Sequence, residues 1–166
     1  MGRILGLLDA TSRWTGKIAS LFSLLTALVI TYEIFVRQVL VRPTVWAAEA
    51  TVFACGILYL LGGPWTLLED KHVRVDALYG RLSPKARALA DCFTYFPFCL
   101  YLLVMIWATG NYAMESMELG ESTMSPWNPP IWPMKLIMLT ALVLVFLQGT
   151  AKFLRDLVLL ATGRRP

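Results

Sequence analysis

The chain reads as an all-α membrane protein with four transmembrane helices, both termini on the cytoplasmic side (N-in, C-in) and short cytoplasmic interfacial helices. Three observations predict this. Of 166 residues, 57% are hydrophobic and only 16% charged, against about a quarter charged in soluble domains, and mean hydropathy is +0.61. Four apolar stretches, approximately 18–40, 46–68, 88–114 and 131–153, each reach the roughly 20 residues that carry a helix across a bilayer core. Backbone groups in lipid must be satisfied within their own segment, which favours helices. The fifteen Lys and Arg are also sorted. Arg3, Arg13, Lys17, Lys71, Arg74, Arg81, Lys85, Arg87, Lys152, Arg155, Arg164 and Arg165 fall to one side, and Arg37, Arg42 and Lys135 to the other. The positive-inside rule then places both termini in the cytoplasm, as expected for a multi-pass membrane protein. The net charge of +4 reflects orientation and contact with membrane lipid, with no nucleic acid partner.

A single membrane domain is expected over residues 1–166. Within residues 1–17, Ile4, Leu7, Leu8 and Trp14 recur near helical spacing against Arg3, Asp9, Ser12 and Arg13, which predicts a short interfacial helix. The first span follows Lys17 and runs into Tyr32, Glu33 and Phe35 without a small-residue cleavage site, so it is a permanent span. Gly62, Gly63 and Pro64 make a bend plausible near the cytoplasmic end of the second span. Between the second and third spans, Val75, Leu78, Tyr79 and Leu82 repeat at i, i+3, i+4 and i+7, predicting another amphipathic helix. Ser83 before Pro84 reads as an N-cap with Pro at the first helical position, starting the third helix well before its apolar part. Trp46, Trp127 and Trp132 mark the outer interface and Trp14 and Trp65 the inner one, with Trp107 deep in a span, packing on a helix or lipid. Cys55, Cys92 and Cys99 lie in apolar segments without a C-x-x-C pair and read as packing residues.

The informative charges are Glu33, Arg37 and Glu49, each inside an apolar stretch, where a central charge costs about 2.5 to 3.5 kcal/mol on insertion scales. Glu33 and Arg37 are four apart with the acid nearer the N terminus, the favourable order for a helical pair. A tight hairpin turning near Arg42 to Thr44 puts Arg37 and Glu49 at equal depth. The three residues are therefore expected to form one cluster, structural or partner-binding, with one excess negative charge left for a proton or a partner's basic group. In the last two spans, Asp91 and Lys152 lie near the cytoplasmic ends, and Asp91 is expected to pair with Arg87. His72 lies in a loop, which disfavours haem ligation. Nucleophile motifs and Gly-rich phosphate loops are missing. No enzymatic activity, cofactor or metal site is expected. The loop from Glu115 through Glu118 and Glu121 is acidic up to Lys135, which fits equally a solvated loop and a docking surface.

Trp46-x-x-Glu49, the loop run His72-Val73-Arg74-Val75-Asp76, and Gly120-Glu121 followed by Trp127-x-Pro129-Pro130-x-Trp132-Pro133-x-Lys135 together resemble the small membrane (Q) subunit of tripartite ATP-independent periplasmic (TRAP) transporters. The resemblance covers nearly the whole chain. It implies a scaffold subunit of a secondary active, ion-gradient-driven symporter for a carboxylate-type solute, bound to a large membrane permease subunit. A periplasmic solute-binding protein captures the solute, and Glu115, Glu118 and Glu121 are the residues placed to face it. The resemblance further implies that Glu49 and the stretch from His72 to Asp76 help position helices or the partner. Two other classes stay open. One is a small proton-coupled exporter using Glu33, disfavoured because dual topology needs a weak charge bias and Arg37 holds Glu33 ionised. The other is a membrane anchor of a redox complex, weakened by the missing haem ligands.

Overall fold

The structure, a computed structural model, describes residues 2–69, 71 and 83–162. The described residues form four helices: α1 (Gly2–Val39), α2 (Ala47–Leu68), α3 (Pro84–Glu118) and α4 (Trp132–Thr162). All four are long and apolar enough to cross a membrane. At ~1.5 Å per residue they measure about 57, 33, 52 and 46 Å, against a hydrocarbon core of about 30 Å. Only α2 matches the core closely, and the others overhang it.

Residues 2–17 are helical as expected but do not form a separate element. They run on into the first span as one helix. The physical reason lies on the face predicted to be polar and wet: Ser12 is buried to 2% exposure and Asp9 and Ser12 bond to α4, as described below. The amphipathic stretch around Val75 to Leu82 and the motif from His72 to Asp76 lie outside the described residues. The start of α3 is as read from sequence, with the Ser83 hydroxyl oxygen accepting the Ala86 N–H at 3.3 Å and Pro84 opening the helix. At its other end Gly120 takes φ +59°. The N–H groups of Gly120 and Glu121 turn back to the carbonyls of Met117 and Ser116, a Schellman termination that needs a left-handed residue there. The first hairpin turns differently. The Val36 carbonyl accepts both the Leu40 and Arg42 N–H groups, while Val41 sits between them at φ 52°, and Pro43 prevents the helix from resuming.

The helices stand in an open row, α1 beside α2, α2 beside α4, α4 beside α3, with a slighter contact between α1 and α4. Small residues set these approaches. A Cβ on Gly16 would come within 2.4 Å of the Trp65 ring, one on Gly56 within 2.8 Å of Met134, and one on Gly149 within 2.4 Å of Phe98. Trp65 thus packs against a neighbouring helix as well as marking an end of α2. Between α3 and α4, Tyr95 stacks on Phe153 at 4.2 Å and hydrogen-bonds Thr150 at 2.9 Å. Both α1 and α3 carry exposed apolar side chains, Leu21, Leu24, Leu28 and Phe35 on the first and Phe93, Leu100 and Trp107 on the second.

Candidate functional site

Polar groups gather at the two ends of the row. One end carries the α1–α2 turn and the α3–α4 loop and is called the hairpin end; the other carries both chain termini.

At the hairpin end Glu33 and Arg37 pair as their spacing predicts, the Arg37 Nη2 lying 2.7 Å from Glu33 Oε1. The Nε group donates to the same oxygen at 3.0 Å. Glu33 Oε2 accepts the Thr44 N–H at 3.3 Å and the Thr44 hydroxyl. Glu49 does not join them. It lies in the first turn of α2, and its Oε2 accepts the Thr123 hydroxyl at 2.9 Å. The expected three-member cluster is therefore replaced by a pair plus a separate link. Glu49 reaches to the α3–α4 loop, where Thr123 is its hydrogen-bond partner. Thr44 supplies the neutral donors that satisfy Glu33.

Glu115 and Glu118 belong to the last turn of α3 rather than to the loop, and both are exposed. Carboxylates near a helix C terminus are opposed by its dipole, so folding alone gives no reason for them. Glu121 is committed elsewhere. It pairs with Lys135 and accepts the Ser116 hydroxyl at 2.7 Å. Hydrogen bonds from Lys135 and then from Ser116 hold its carboxyl below the usual glutamate range, against a smaller opposing effect of burial. Lys135 also lies 4.9 Å from the Tyr112 ring.

The residues between form a built loop. Ser122 and Pro130 make an isolated antiparallel bridge, Thr123 N–H donates to the Pro129 carbonyl and Ile131 N–H to the Glu121 carbonyl. Met124 N–H donates to Asn128 Oδ1 at 3.1 Å, and Asn128 N–H to Ser125 Oγ at 2.9 Å. The Trp127 ring stands 6.4 Å from Phe53 of α2. Trp127, Pro129, Pro130 and Lys135 thus each have a physical role in closing this loop, and Trp132 opens α4. Met124, 92% exposed, forms its tip.

At the terminal end the sequence reading missed a network. Gln148, 1% exposed, accepts the Ser12 hydroxyl at 3.0 Å and donates to Asp9 Oδ1 at 3.2 Å. Arg155 Nη2 lies 2.8 Å from both Asp9 oxygens. An amide in the apolar run of α4 was the available signal. Asp91 makes an ion pair with Lys152 of α4 at 3.1 Å, a partner on another helix that its expected pairing with Arg87 did not include. Cys55, Cys92 and Cys99 are free thiols. Among the described residues no group of His, Cys, Asp and Glu could hold a metal ion.

The helices, their apolar spans and the motif-bearing loop can be set beside known proteins. A family model described as "Tripartite ATP-independent periplasmic transporters, DctQ component" matches residues 26–159. The chain belongs to that family. It is the small component of a TRAP transporter, a multi-pass membrane protein of a transporter family and not of an enzyme family. The match takes in the Glu33–Arg37 pair, Glu49, the built loop and Gln148, and stops short of Asp9 and Ser12. No curated protein and no solved structure matches the chain.

Proposed function

We propose that this small TRAP component is a fixed, oriented scaffold, N-in and C-in in the bacterial inner membrane, which binds the large permease subunit laterally. The permease then carries out ion-gradient-driven uptake of a carboxylate-type solute. The observation that carries this reading is the set of exposed apolar side chains on α1 and α3 in a chain whose intramembrane Glu33, Arg37 and Glu49 are already engaged within it. Both Glu33 oxygens are engaged within the chain, by Arg37 and by Thr44, which leaves no free carboxylate oxygen of the kind an exporter would present to its substrate. Co-expression with the large subunit and purification in mild detergent tests the scaffold: the two chains should elute together, and a small chain that runs alone and is dispensable for uptake sinks the idea.

Docking of the periplasmic solute-binding protein belongs to the same reading. Glu115 and Glu118 support it, exposed acids placed where the helix dipole disfavours them, while Glu121 is a closing residue of the loop. Reversal of Glu115 and Glu118 to Lys should weaken receptor-dependent uptake, and reversal of Glu121 should instead disturb the loop. Unaltered uptake and receptor dependence in the Glu115 and Glu118 variants would remove the docking role.

A further inference from the structure

A groove of about 320 Å³ lies between α1 and α2 at the hairpin end, lined by Ile30, Ile34, Ala48 and Thr51 with Glu33 and Arg37 at one end. Arg37 uses two of its five N–H groups on Glu33, and among the described residues the other three find no partner. Its side chain is 56% exposed, that of Glu33 only 14%. Glu33 has both oxygens doubly engaged, so it holds Arg37 in place and has little capacity left for a ligand. The groove therefore offers donors, and the group that fits them is an anion.

Its dimensions say which kind. From Arg37 down to Ile30 is seven residues, about 10 Å along a helix, within the ~15 Å that one leaflet contributes to a ~30 Å core. The charge stands at the last turns of α1 with Gln38 beside it, and the polar groups below it are already satisfied, Glu33 by Arg37 and Thr44 and Thr51 by donating its hydroxyl to the Ala47 carbonyl, among Ile30, Ile34 and Ala48. A partner helix would run past both ends of so short a groove. An amphiphile with one anionic head and an apolar tail would not. We propose that this groove binds one phospholipid, its phosphodiester on the free edge of the Arg37 guanidinium and an acyl chain along Ile30, Ile34 and Ala48. Stacking of Tyr32 on Trp46 at 5.9 Å places an aromatic pair close to the same turn, as suits head-group depth.

Native mass spectrometry of the full chain in dodecyl maltoside, titrated separately with phosphatidylethanolamine, phosphatidylglycerol and diacylglycerol of equal chain length, tests this. One molecule of either phospholipid should bind per chain, about tenfold more tightly than diacylglycerol, the gain expected of charge-assisted hydrogen bonds. Arg37→Gln should bring both phospholipids down to the level of diacylglycerol, and Ala48→Trp, which fills the groove, should weaken all three. Wild-type binding without preference over diacylglycerol overturns the proposal whether or not the variants fold. So does undiminished phospholipid binding by a folded Arg37→Gln chain, or exclusion of the bound lipid when the large membrane subunit is co-purified.

Discussion

Glu49 shows how a single side chain organises its surroundings. It reaches from the first turn of α2 to Thr123, 74 residues further along the chain, and with the Phe53–Trp127 contact it fastens the α3–α4 loop to α2. Replacing Glu49 by Ala should free this loop. Amide hydrogen exchange over residues 119–131 should accelerate, whereas Glu49→Gln, whose amide oxygen still accepts from Thr123, should exchange as the parent does; equal rates in all three would refute the fastening. A second residue-scale prediction concerns acid. The folded Glu121 carboxyl titrates below its unfolded value, so its pairing contributes stability that is fully present above the unfolded pKa, about 4.3. That contribution is lost as pH falls through the lower folded value. The loop amides should stay protected from neutral pH down through the usual glutamate range and lose protection only below it, and Glu121→Gln should remove that acid step. The Glu33–Arg37 pair was legible because i, i+4 spacing fixes which residues share a helix face. The partner of Glu49 was not, since depth matching says nothing about facing and no local pattern points to a threonine in a distant loop.

Among elements, the lesson concerns overhang. Apolar runs located the four helices, and the Ser83–Pro84 start and the end of α2 could be read to within a residue or so. Hydropathy could not show that α1 continues straight through Lys17, because amphipathic periodicity is the same for a helix on a membrane surface and one packed on a neighbour. The difference is made by partners on α4: Gln148 and Arg155 receive Ser12 and Asp9. Asp9→Ala and Arg155→Ala should each destabilise the chain, and the double variant should cost less than their sum, by about 1 kcal/mol for a partly exposed pair. Thermal unfolding in detergent measures this, and strict additivity would mean that the pair contributes nothing to joining the helices. Gly16→Leu should act more strongly, because its side chain would occupy the space of the Trp65 ring. Overpacking of this kind costs typically 1 to 3 kcal/mol.

For the whole molecule, the arrangement in a row rather than a closed bundle governs what the chain can do. Four helices, their apolar character and the family were all legible, since composition and loop motifs carry them. The row itself was not, because helix order in space depends on which small residues meet which rings, as Gly16 meets Trp65 and Gly149 meets Phe98. One consequence follows from α2 and α4 standing at its centre. Each comes from a different helical hairpin, so the molecule is two hairpins joined along one seam, the two-stage assembly open to helices that are already stable in lipid. Continuity of the polypeptide between Glu69 and Ser83 is then dispensable for that seam. Residues 1–69 and 83–166 expressed as separate chains in the same membrane should recombine and purify together through a tag on either half, and Gly56→Leu, which would obstruct the seam at Met134, should abolish the recovery.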